Sequence, residues 1–186
     1  MLPKKHPSKA VMAVAAASAV LVGAVIAVDS TTAHKGHPAA APRPAPQFTV
    51  PSLRDPLQQI SLSAYQGRPV IVNFFASWCG PCRRETPLLA KFYRESGGKV
   101  AIIGVDAQDK TTSARRFVAA YQVGYPVGVE TTSAIADAYD VSNIGIPITF
   151  FLDSRHRIVK RVIGDVSPQT LTAGVALMDG GSAARH

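Results

Sequence analysis

Apolar positions along this chain fall into three patterns. The first is one long unbroken run, Ala10 to Val28, with no charge and no proline. The second is a set of short runs bounded by turn residues. Val70 to Phe75 is apolar at nearly every position, and so is the segment from Lys99 to Val105. Runs of that length predict buried central strands covered on both faces. Residues 57–62 alternate instead, with Ile60 and Leu62 against polar neighbours, and predict a strand with one face buried. The third pattern is helical spacing. It predicts an amphipathic helix from Cys79 to about Ser96, with Leu88, Leu89, Phe92 and Tyr93 inward and Gly97-Gly98 ending it. Further helices are predicted over 111–122, carrying Phe117, Val118 and Tyr121, and over 132–139, carrying Ile135 and Tyr139. A short strand is expected over 127–129. Residues 148–152 and 157–163 read as a hairpin around Asp153-Ser154-Arg155-His156. Ser167 and Pro168 open a last helix to Met178, as N-cap and first residue. Asp106 to Lys110 is expected as a loop. Strands and helices alternate and a hairpin closes the series, which predicts an α/β fold: a mixed central sheet with helices on both faces.

The long run sits behind a basic start, Lys4, Lys5 and Lys9. Its length suits a spanning helix of about 20 residues, and the basic flank places that end in the cytoplasm and the rest outside. A cleaved signal is the other reading, because the run is rich in alanine and Thr31-Thr32-Ala33 is a loose cleavage site. Residues 1–28 are therefore expected as a membrane anchor or signal sequence. Residues 29–46 form a linker in which Pro38, Pro42, Pro44 and Pro46 interrupt alanines, extended and semi-rigid. The folded domain is expected over 47–179, and 180–186 as a disordered tail. The net charge is +8, but five of the basic residues precede Gln47 and the others are spread. No basic stripe with interleaved aromatics is present, so nucleic-acid binding is not expected.

Candidate chemistry converges on one stretch, Asn73-Phe-Phe-Ala-Ser-Trp-Cys-Gly-Pro-Cys-Arg-Arg-Glu85. Cys79 and Cys82 are the only cysteines. At this spacing a helical turn brings both sulfurs within bonding range, so a small disulfide ring can open and close with little backbone movement. At a helix N-terminus the free N–H groups and the dipole favour a thiolate on Cys79. Cys79 is then the exposed attacking sulfur and Cys82, one turn in, the buried resolving one. Gly80 lets a partner backbone approach, Pro81 restrains the ring, and Trp78 either shields one side of the site or simply packs there. A zinc site needs two more ligands, and there is no second cysteine pair, so no metal is expected. A structural disulfide is the other alternative, but so short a ring restrains little chain entropy.

Trp78-Cys79-Gly80-Pro81-Cys82, with Pro87 beyond it, resembles the active-site run of the thioredoxin superfamily. Asn73-Phe-Phe-Ala-Ser-Trp-Cys79, Glu85, and Gly145-Ile-Pro-Ile-Thr-Phe-Phe-Leu-Asp153 are similar to the extracytoplasmic TlpA/ResA/CcmG-like thiol–disulfide oxidoreductases. Phe75 stands where that branch has a tryptophan. The resemblance runs over residues 47 to 178 and implies a thioredoxin-like fold. It further implies that Pro147 follows a cis bond and lies against the cysteine pair, and that Ile146 offers backbone groups to an extended substrate. In soluble thioredoxins a buried aspartate precedes the first cysteine by six residues. Here that place is held by Asn73, which cannot take a proton. The resemblance implies that Glu85 accepts the proton of the resolving thiol instead. A surface glutamate stabilised by the helix dipole is the alternative.

The expected activity is exchange of the Cys79–Cys82 disulfide with protein thiols outside the cytoplasm, without a cofactor and as a monomer. By resemblance it acts as a reductant in cytochrome c maturation or general thiol reduction, fed by a membrane electron-transfer partner. Disulfide formation in exported proteins is the other direction. Two readings stand further off. A copper-delivery protein of the SCO type carries three residues between its cysteines and a distant histidine, for which His156 is the candidate in the domain. A peroxiredoxin-like peroxidase carries Pro and Thr ahead of its cysteine, and neither precedes Cys79.

Overall fold

The structure, a computed structural model, describes residues 42–180. The expected anchor, most of the expected linker and all of the expected 180–186 tail but Gly180 lie outside the described residues. In chain order the elements are β1 (Arg43–Pro44), β2 (Thr49–Pro51), β3 (Gln59–Ser61), a 3-10 turn (Leu62–Tyr65), β4 (Val70–Phe75), α1 (Gly80–Glu95), β5 (Ala101–Ala107), α2 (Thr111–Ala120), β6 (Val127–Glu130), α3 (Ala134–Ala138), β7 (Ile148–Leu152), β8 (Arg157–Ile163) and α4 (Pro168–Gly180).

The main sheet has the order β1-β8-β7-β4-β5-β6. The central strand β4 runs parallel to β5 and antiparallel to β7, so the sheet is mixed. All six residues of β4 are buried, as are all of β5 and β7. That is why these stretches read as unbroken apolar runs. One face carries Val72, Phe74, Ile103 and Phe150 against Ala136 of α3, Tyr139 just after it, and the segment around Phe48 and Leu62. The other carries Ile71, Phe75, Ile102 and Phe151 against α1, α2 and α4, through Leu89, Ala114, Phe117, Leu171 and Met178. Helices therefore cover both faces of the sheet.

Several elements depart from the pattern in the sequence. Asp106 and Ala107 are not loop: they extend β5, paired with Phe75 on one side and with Val129 and Glu130 on the other. The strand expected over 57–62 ends at Ser61, and Leu62 turns into the 3-10 segment with its side chain fully buried. The third helix is only five residues long, and Ser133 before it has a left-handed backbone. Arg43–Pro44, within the stretch read as linker, pairs with Arg157 and Ile158 at the sheet edge, where a proline removes no needed donor.

Candidate active site

The site is built where β4 ends and α1 begins. Cys79 is the N-cap of α1 and Pro81 lies in its first turn, where a missing N–H is harmless. Cys79 and Cys82 are joined in a disulfide with Cα atoms 5.3 Å apart. The amide of Cys82 points at the Cys79 sulfur at 3.2 Å. On reduction the same amide and the free helix terminus remain in place to stabilise a thiolate there.

Cys79 is not the exposed sulfur that its spacing suggests. It is 3% exposed and Cys82 is fully buried. The cover comes from across the fold: the Ile146 carbonyl lies 3.8 Å from the Cys79 sulfur. The Ile146–Pro147 bond is cis and Pro147 is buried. Access is left at the rim. Gly80 is exposed and faces open space. Trp78 is 60% exposed, with its indole N–H donating to the Gln108 carbonyl at 3.3 Å. A cavity of about 280 Å³ separates Trp78 and Gln108 from Val141, Gly145 and Ile146. Ile144 and Ile163 are exposed nearby, Ile163 pairing with Ile148 beside Pro147. The loop before Cys79 is tied down twice. Ser77 N–H donates to Asp109 Oδ2 at 2.6 Å, and the Ser77 carbonyl accepts two bonds from the Arg83 guanidinium.

Beneath the disulfide lies a buried polar group. Glu85 follows Cys82 by three residues, on the same face of α1, and is buried rather than at the surface. Neighbours at that spacing stand about 5–6 Å apart at Cβ. Its Oε1 accepts from the Asn73 amide at 2.8 Å and its Oε2 from Val166 N–H at 2.8 Å. Asn73 also donates to Thr149 Oγ1 at 3.0 Å. Burial pushes the Glu85 carboxyl up to about 7, against the two donated bonds, with a smaller upward push from the charge of Asp165. Asp165 is itself held at the surface by a two-point bond from Arg84.

The structure thus brings Cys79, Cys82, Trp78, Gly80, Pro81, Ile146, Pro147 and Glu85 to one end of the sheet. His156 is not among them. Leu152 pairs with Val70, so the β7–β8 turn lies at the opposite end of β4, about 20 Å away by strand rise. His156 is buried there, its Nε2 bonded to the Tyr65 carbonyl. Sequence reasoning missed Asn73 as the partner of Glu85, and the clamp formed by Asp109 and Arg83. A usable signal for Asn73 was present: one polar side chain inside an otherwise apolar central strand.

The AhpC/TSA family model matches residues 42–161. The chain belongs to that family. Within it the chain is similar to the thiol–disulfide oxidoreductase ResA of Bacillus subtilis, 32% identical over 124 residues that make up 66% of this chain and 67% of the relative. Among solved structures, a thiol:disulfide interchange protein of the thioredoxin family from Chlorobium tepidum aligns with a TM-score of 0.66 at 25% identity, covering 75% of this chain and 97% of that one. A secreted disulfide oxidoreductase of Mycobacterium tuberculosis shares the fold, with a TM-score of 0.63 at 22% identity over 70% of this chain and 95% of that one. The fold of this AhpC/TSA member is thioredoxin-like. With its Cys79–Cys82 pair, it is a thiol–disulfide oxidoreductase.

Proposed function

We propose that this protein is an extracytoplasmic reductant of protein disulfides, held at the membrane by residues 10–28 and recharged by a membrane electron donor. The observation that carries the reading is the buried Glu85, pushed up to about 7, one turn below Cys82. In the reduced protein the Cys79 thiolate attacks a substrate disulfide and forms a mixed disulfide, releasing one substrate thiolate. Glu85 takes the proton of Cys82, and the Cys82 sulfur attacks Cys79. The internal disulfide forms and the second substrate sulfur leaves. Two electrons pass from the cysteine pair to the substrate, and the Cys82 proton ends on Glu85, from which it reaches the departing thiolate or solvent.

The direction follows from the same carboxylate. A strong oxidant such as DsbA is one whose reduced, thiolate form is stabilised. A negative charge one turn from the pair works against that, and favours a reductant. The relatives named thiol–disulfide oxidoreductase ResA support the exchange chemistry. Trp78, Ile144 and Ile163 offer an apolar rim, and the cavity beside Ile146 can take a side chain of an extended substrate segment. Cytochrome c maturation and general thiol reduction both call for such a site. The apolar run from Ala10 to Val28 and the secreted character of the M. tuberculosis structural relative support the location. Among the described residues no helix is long and apolar enough to cross a membrane.

Equilibration with dithiothreitol and glutathione buffers tests the direction. A potential near about −270 mV, the thioredoxin value, supports the reading, and one near about −120 mV, the DsbA value, overturns it. Cys82→Ser should trap mixed disulfides with substrate while Cys79→Ser traps none. Recovery of the unprocessed chain in the membrane fraction is the expected outcome for the anchor, and a mature chain starting near Ala33 is the outcome against it.

A further inference from the structure

Asp106 is used by none of the chemistry above. It lies near the C-terminal end of β5, 1% exposed, paired in register with Phe75 of β4 and Val129 of β6. Alternation puts it on the same face as Gly104, whose side-chain direction meets Phe75, Tyr125 and Val127. Neither of its oxygens has a hydrogen-bond partner among the described residues. An ionised carboxylate in that position is heavily disfavoured. The carboxyl of Asp109 bears on it through its charge and through a side-chain hydrogen bond. Two carboxylates have no hydrogen to share. With one proton on Asp106 the contact becomes an O–H···O bond, and the orphaned group gains its partner.

Asp109 is the group that holds the loop into Cys79. Its Oδ2 accepts Ser77 N–H and its Oδ1 accepts Lys110 N–H at 2.7 Å. Gln108, the residue just before Asp109, takes the Trp78 indole N–H on its carbonyl. Gln108 and Asp109 therefore grip the two residues ahead of Cys79 at successive points. We propose that Asp106 is a positioning residue for the redox site: protonated, it donates to Asp109 and keeps that carboxylate on the Ser77 amide, so that one buried proton sets the Ser77–Trp78 loop. Loss of the proton to solvent leaves two like charges in contact. Asp109 is driven off, and the loop that carries Trp78 into Cys79 loosens. This device works whichever way electrons run through the disulfide.

The charged groups around Asp106 can be named. Asp109 and Lys110 lie on the loop that follows β5. Arg83 of α1 is turned onto the Ser77 carbonyl, and Arg115 of α2 onto the Leu53 carbonyl. Arg116 lies further along α2, and Glu130 of β6 is bound to the amides of Ile135 and Ala136. Of all these, only Asp109 bears on the proton of Asp106. Burial and that neighbour together push the Asp106 carboxyl up to about 7.

Trp78 is the only tryptophan in the chain, so its fluorescence reports this loop alone. The test uses the oxidised full chain, in which neither cysteine titrates. The wild type should show one fluorescence transition centred near pH 7, tracked by the ¹⁵N–¹H resonance of Ser77. Asp106→Asn should abolish it. Asp109→Asn should move it to lower pH, because the neighbouring charge that raises Asp106 is gone. Glu85→Gln should leave it in place, which separates it from the other carboxyl that titrates near pH 7. A transition that survives in Asp106→Asn, vanishes in Glu85→Gln or stays put in Asp109→Asn overturns the proposal. If Asp106→Asn does not fold, the ¹³C carboxyl resonance of Asp106 in the wild type decides. Titration near pH 7 supports the proposal, and titration below pH 5 overturns it.

Discussion

Glu85→Gln should make the oxidised protein less sensitive to pH while making it more stable above neutrality. The folded chain holds the Glu85 proton up to about pH 7, whereas an unfolded chain releases it at 4.5. Each tenfold difference in proton affinity is about 1.4 kcal/mol, so this one carboxyl contributes about 3 kcal/mol. The sign follows from which state binds the proton more tightly. That is the folded state, so the contribution is complete below about pH 4.5 and is lost as pH rises through about 7. Between these limits the folded chain carries one more proton than the unfolded one, and stability falls by about 1.4 kcal/mol per pH unit. Asp106, displaced from 3.8 to about 7, adds a second slope of the same sign and size. The wild type should therefore lose about 2.7 kcal/mol per pH unit between about pH 5 and 6.5, and Glu85→Gln about half of that. Urea unfolding of the oxidised protein at a series of pH values, followed by far-ultraviolet circular dichroism, measures both slopes. Equal slopes in the two proteins would refute the reasoning, because Glu85 would then be ionised at pH 6 despite its burial. The proposed mechanism passes the Cys82 proton to Glu85, which Gln cannot accept, so the same variant should exchange disulfides more slowly while being the more stable protein at pH 8.

The other expected outcomes are narrower. Asp165→Asn removes a negative charge that raises Glu85, so the ¹³C carboxyl titration of Glu85 should move to lower pH; a midpoint that rises would contradict the assignment of that charge. Asn73→Asp places a second carboxyl where an amide now donates to Glu85, and should move the midpoint of the pair upward in the same experiment. Gly174→Ala drives a methyl from α4 into the fully buried ring of Phe151 on β7. It should destabilise the fold by about 1–3 kcal/mol in urea unfolding, without changing the redox potential.

The parts of the fold that were legible are those whose cause is local. Val70–Phe75 reads as a central strand because every side chain in it is buried on one face or the other. The start of α1 reads from Cys79 and Pro81, and the β7–β8 hairpin from two apolar runs around a polar tetrad. The parts that were not legible depend on distant residues. Asp106 looks like the start of a loop because an aspartate disfavours a strand, yet Phe75 and Val129 on either side hold it in the sheet. Cys79 looks exposed because spacing reports where a helix begins and not what covers its end. Its cover is Ile146, 67 residues further along the chain. Arg43–Pro44 carries no strand signal of its own and is recruited by the free edge of β8. In the candidate site, cysteine spacing marks the disulfide, while the buried carboxyls of Glu85 and Asp106 are recognisable only by what buries them.

The pairing of Asn73 with Glu85 shows why a strand amide and a helix carboxyl go together here. In the proposed mechanism Glu85 changes charge within each cycle while buried, so its neighbours must tolerate both forms. A buried aspartate at position 73 would face Glu85 with a second acceptor that also titrates, and the two protons would become coupled. An amide has a donor end and an acceptor end and no proton to lose. The donor end faces Glu85 and Thr149, the arrangement that suits the carboxylate. The carbonyl oxygen is buried with no partner among the described residues. Rotation of the amide exchanges the two ends, and a neutral Glu85 can then donate its proton to that oxygen. Val166 N–H stays on Oε2 in either form and fixes the carboxyl in place. The polar group beneath the disulfide is thus built from one titrating side chain and partners that do not titrate. That lets Glu85 take up and release a proton near neutrality, with no second buried charge to be neutralised in its own shell.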